Sequence, residues 1–165
     1  MRKSVSTLKF PLAALAMSCF AANPTHAAAS TAFADGDKAA IQAAHGMETD
    51  CAKDGMAHGK RQKGWKSSVA LGGGHWAFVV DGAKLACTYA ALCGTGGCTT
   101  KVFSTAPGKP KLIFDDQARG WRFMTPATGR PWLKLDMHGG FCGKTGMEAC
   151  NQKLDLESGQ IKTTR

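Results

Sequence analysis

The stretch WLKLDMHGGFCGKTGMEACNQKLDLESGQIKT, residues 132–163, decides how this chain reads. In Trp132-Leu133-Lys134-Leu135-Asp136-Met137 the apolar residues alternate with polar ones, so Leu133, Leu135 and Met137 share one face of a strand while Trp132, Lys134 and Asp136 share the other. Residues 153–163 repeat the pattern, and Glu157-Ser158-Gly159 supplies a turn between their two halves. The expected core is therefore Leu133, Leu135, Met137, Leu154, Leu156 and Ile161, with Phe78 and Val79 competing for inward positions.

Between these strands lies HGGFCGKTGMEAC, residues 138–150. Asp136, His138 and a free Cys142 would make an acid, base and thiol series for an envelope hydrolase, and His138 with Cys142 has a spacing that could chelate zinc. The favoured reading is a disulfide-closed loop, in which Gly139, Gly140, Gly143 and Gly146 supply the tight backbone conformations. No metal ligand set and no cofactor motif is expected, because a structural zinc site needs four ligands and these cysteines have sulfur partners available.

Upstream, short β-branched and aromatic runs follow one another closely: WAFVV at 76–80, KLACTYA at 84–90, CTTKVFS at 98–104, KLIF at 111–114 and GWRFM at 120–124. Asp81-Gly82 reads as a hairpin turn between the first two. Leu71-Gly72-Gly73-Gly74-His75 reads as a flexible lead into WAFVV, since no helix and no Lys-Ser pair follows to make a phosphate loop. Asp115-Asp116 reads as a turn. Residues 28–59 are rich in alanine and hold no proline, and they predict a helix over about 37–51, capped by Asp37, with Ile41, Ala44, Met47 and Cys51 facing inward and Gly46 weakening its middle. The fold class that follows is α+β: an N-terminal helix packed on a mainly antiparallel β-sheet meander and stapled by disulfides.

The first residues predict export. MRKSVSTLKF carries Arg2, Lys3 and Lys9 without an acid and runs into thirteen apolar residues, FPLAALAMSCFAA, too few to span a bilayer. Residues 1–27 read as a secretory signal cut after Ala27, leaving one domain over 28–165; the alternative is a lipoprotein anchored through Cys19 after Leu15-Ala16-Met17-Ser18. Loss of the leader leaves a net charge of +6, from eighteen basic and twelve acidic residues. Outside the cytoplasm that charge favours an anionic envelope component or an acidic protein, and not nucleic acid. The expected contact is the basic linker 58–66, where Lys60, Arg61, Lys63 and Lys66 surround Trp65.

Cys51, Cys87, Cys93, Cys98, Cys142 and Cys150 form an even set in an oxidising compartment and read as three disulfides. Sequence does not choose among fifteen pairings, but local closure of 93 with 98 and of 142 with 150 is economical and leaves 51 with 87.

Cys93-Gly94-Thr95-Gly96-Gly97-Cys98, followed by His138-Gly139, Cys142-Gly143, Gly146 and Cys150, resembles a group of small, uncharacterised exported disulfide proteins of Gram-negative bacteria, over residues 87 to about 163. The resemblance implies that the cysteines at 93, 98, 142 and 150 are the shared set and that Cys51 and Cys87 are an addition; it implies no activity. A looser similarity, in size, export and disulfide-held β structure, is to periplasmic lysozyme inhibitors. Their inhibitory motif is not evident, and a basic chain is repelled by a cationic lysozyme. The expected function is a periplasmic binding module, such as an inhibitor or immunity-type protein. An envelope hydrolase built on Asp136 and His138, or a structural envelope protein, are the rivals.

Overall fold

A computed structural model of the protein describes residues 24–106, 108–145 and 148–164. Residues 1–23 of the expected 1–27 leader, with Cys19, and Gly146 of the 138–150 loop lie outside them. Helix α1 (Pro24–Lys53) is followed by β1 (Lys66–Gly72), β2 (His75–Asp81), a 3-10 turn (Gly82–Lys84), the one-turn α2 (Tyr89–Leu92), β3 (Cys93–Gly94), β4 (Gly97–Ser104), β5 (Lys111–Ala118), β6 (Gly120–Met124), β7 (Trp132–His138), β8 (Ala149–Asp155) and β9 (Ile161–Thr164). The fold is α+β, with antiparallel strands in two sheets.

The first sheet runs β1-β2-β4-β5, and the two-residue β3 pairs with β4 at Cys93↔Cys98, beyond the end of β2. The second runs β6-β7-β8-β9. WAFVV is a run without alternation because β2 is covered on both sides: Ala77 and Val79 join Val102, Phe114, Leu133, Leu135, Met137, Leu154 and Leu156 between the sheets, while Phe78 and Val80 join Ala40, Ala44, Met47 and Leu85 under α1. Phe78 and Val79 are thus both buried, on opposite faces. Helix, first sheet and second sheet make three layers with two cores.

Several expectations are corrected. The helix does not begin at Asp37: it runs from Pro24, whose missing N–H suits a first helical position, straight through Asp35-Gly36-Asp37. Gly36 is there for packing, since a Cβ would lie 2.3 Å from Phe78 Cε2. The inward face includes Ala40 and leaves Ile41 41% exposed. Residues 84–90 form no strand. Asp81 Oδ1 accepts from the Ala83 N–H at 3.1 Å and caps the 3-10 turn, and a Cβ on Gly82 would meet the Thr99 carbonyl, so Asp81-Gly82 leads inward instead of making a hairpin.

Leu71–His75 is not a flexible lead. Gly72 pairs with His75 across Gly73-Gly74, whose φ angles of 58° and 82° suit a two-residue hairpin turn, and β1 is the strand that sequence reading missed. Asp115-Asp116 lies inside β5, where Asp115 pairs with Lys101 at 2.5 Å. Ile161 faces the same way as Leu154 but sits on the edge strand and is 45% exposed, so it is not core. The Glu157–Gly159 turn is present, fixed by Asp155 Oδ1 accepting from the Ser158 N–H at 2.8 Å.

Candidate functional site

The cysteines pair as Cys51–Cys87, Cys93–Cys98 and Cys142–Cys150. In the 138–150 loop the Cys142 sulfur is therefore bonded, and it offers no thiol to His138. His138 Nδ1 accepts from the Gly140 N–H at 3.2 Å, capping the 3-10 turn Gly139–Cys142, and Asp136 pairs with Lys134 at 3.2 Å. Among the described residues no group of three His, Cys, Asp or Glu side chains could hold a metal ion.

The linker cluster is largely spoken for by the helix. Arg61 donates from Nε and Nη2 to the two carboxylate oxygens of Glu48 at 2.8 and 2.6 Å and lies over the Trp65 ring at 4.5 Å; Lys66 pairs with Asp37 and stands 5.3 Å from the same ring. The Arg61 hydrogen bonds, helped by the Ala86 N–H and opposed by burial, hold the Glu48 carboxyl below its usual range. The backbone is also fixed, since the His58 N–H donates to Ala86 O and the Gln62 N–H to Lys84 O. Of the five residues expected to bind, only Lys60 and Lys63 have neither an ion pair nor a ring contact among the described residues.

A different set of cations lies on the second sheet. Arg122 on β6 is directly opposite Lys134 on β7, Lys134 opposite Lys153 on β8, and Lys153 opposite Lys162 on β9. Directly opposed residues of antiparallel strands share a face, and Leu133, Leu135, Met137 and Leu154 fill the inner one, so the four cations line the outer face in one row. At about 4.8 Å between strands the row is about 14 Å long. On one side of it lies the row containing Asp136 and Asn151, and on the other the row containing Met124, Trp132 and Asp155. Lys153 Nζ stands 5.0 Å from the Trp132 ring.

Sequence reading placed Lys134 outward but did not find the row. Each member is one unremarkable lysine or arginine in its own strand, and only the register of three strand pairs brings them together.

By fold this is a disulfide-stapled α+β domain of three layers with a cationic outer sheet face. No family model matches the chain, and neither the curated proteins nor the solved structures give a match.

Proposed function

We propose that this protein is an exported binding module that holds an anionic envelope component on the outer face of its four-stranded sheet. The observation that carries the reading is the row Arg122, Lys134, Lys153 and Lys162. Like charges directly opposite across a ladder are destabilising, and the Lys134–Asp136 pair and the Lys153–Trp132 contact offset only part of the cost of four in series. Lysine on edge strands guards against strand addition, which accounts for Arg122 on β6 and Lys162 on β9 but not for Lys134 and Lys153 on the two inner strands. A ligand that supplies the missing negative charge explains all four. Three disulfides fit an oxidising compartment, and no helix among the described residues is long and apolar enough to cross a membrane.

The test is binding of the disulfide-bonded protein to anionic envelope extract, with and without replacement of the four cations by glutamine. Wild-type affinity should fall as salt rises, because exposed charges are screened over about 8 Å at physiological ionic strength. The quadruple variant should bind far more weakly while its melting temperature changes little, since it removes no core contact and the repulsion it relieves is set against the loss of the Lys134–Asp136 pair and the Lys153–Trp132 contact. Unchanged binding by a correctly folded variant would end the proposal. The same replacement of Lys60 and Lys63 should have little effect.

A further inference from the structure

We infer that the ligand is a linear acidic polysaccharide lying across the strands, along the row. This rests on the proposed anion-binding function and adds its shape and class. The cations form a stripe one residue wide: Asp136 stands beside it on one side and Asp155 on the other, each in the row next to the lysines on its own strand. Asp136 reaches Lys134 at 3.2 Å, and Asp155 shares with Lys153, Lys162 and Gln160 a small cleft of about 80 Å³ at the end of the row.

A membrane surface presents anions in two dimensions and would meet both carboxylates. A single chain with charges at intervals near the interstrand spacing of about 4.8 Å meets only the cations. Nucleic acid is the poorer linear polymer for this face, because unstacked bases need a series of open aromatic rings, and the face offers Trp132, already stacked by Lys153. Trp121 and Phe123, also in the second sheet, point inward and pack against the core between the sheets.

The experiment measures affinity of the disulfide-bonded protein for a length series of oligogalacturonates, for phosphatidylglycerol vesicles and for single-stranded DNA at one ionic strength. Affinity should climb steeply with sugar number until the oligomer spans the four strands and slowly thereafter. Single exposed ion pairs contribute little, so the step is a sum over the row, and replacing the four cations by glutamine should cost about tenfold or more with the longest oligomer. Asp136→Asn should raise vesicle binding more than oligosaccharide binding, because it widens the stripe.

Salt-sensitive binding that shows no length step, or that is as strong for vesicles or DNA as for the longest oligomer, would overturn the linear-glycan inference while leaving an anion-binding face. An Asp136→Asn variant with an unchanged preference would also overturn it. Failure of every anionic probe to bind through the row would instead remove the proposed function itself.

Discussion

Glu48 ties together three parts of the chain that are far apart in sequence. Its carboxylate accepts from Arg61, 13 residues on, and from the Ala86 N–H at 3.1 Å, 38 residues on, beside the Cys51–Cys87 bridge. Its folded pKa is depressed, chiefly by the Arg61 hydrogen bonds. The stabilisation is therefore fully present above the unfolded carboxylate value of about 4.3 and is lost as pH falls through the lower folded value. Asp155, held low first by the Ser158 N–H, acts in the same direction. Melting temperature should fall on acidification below about pH 4, and Glu48→Gln should flatten that dependence while lowering stability at neutral pH by about 1.5–3 kcal/mol, as for other hydrogen bonds to charged groups. A pH series of thermal melts on both proteins checks this. Nothing local in the sequence marks Glu48, because neither partner is a helix neighbour, and for the same reason Arg61 reads there as free to bind a ligand.

At the scale of the element, α1 carries two glycines that answer oppositely to a methyl group. At Gly36 the added carbon would lie 2.3 Å from Phe78 Cε2 and 2.9 Å from Thr105 Cγ2, in the plane where helix meets sheet. Gly36→Ala should therefore destabilise by about 1–3 kcal/mol through overpacking. At Gly46 a Cβ would meet nothing within 4 Å, so Gly46→Ala should stabilise by about 0.4–1 kcal/mol by restricting the unfolded chain. Urea denaturation of the two variants should place their midpoints on either side of wild type. The sequence marked Gly46 as a weak point, which the Gly46→Ala variant tests; it took Asp35-Gly36-Asp37 for a helix start, because a glycine between two aspartates is the composition of a cap. Elements with a strict period were legible: the alternation in 132–137 gave β7 its inner face of Leu133, Leu135 and Met137. Elements without one were not. KLACTYA has strand composition, but Leu85 is consumed by the core under α1 and Cys87 by its disulfide, while Tyr89 is left 70% exposed.

The whole molecule is divided in a way its strand list does not reveal. Among the described elements, the long helix and the strands before Arg119 make up the helix layer and the first sheet, and the strands after it make up the second. Arg119 alone separates β5 from β6, and its N–H donates to Asp136 O at 2.7 Å where the chain changes sheets. The core between the sheets is shared, yet among the described residues no disulfide joins one sheet to the other. What sequence reading could not supply was this partition, since a run of short strands at even spacing has the same pattern in one sheet as in two.

The order of the bridges carries a consequence for biogenesis. Among the described cysteines each bonds the next one along the chain, 51 with 87, 93 with 98, 142 with 150, so no bridge encloses or crosses another. If the chain is exported as proposed, threaded N-terminus first through a translocation channel, each of these six thiols would emerge with its correct partner before any other of the six could compete. Indiscriminate sequential oxidation then yields the native connectivity, and proofreading of mispaired sulfurs becomes unnecessary. Cells that retain a periplasmic thiol oxidase but lack a disulfide isomerase should accumulate the fully bridged protein at the normal rate, as judged by alkylation-shift gels. Reduced, denatured chains reoxidised in the test tube, where the six thiols of these three bridges compete at once, should depend on added isomerase to reach the same state.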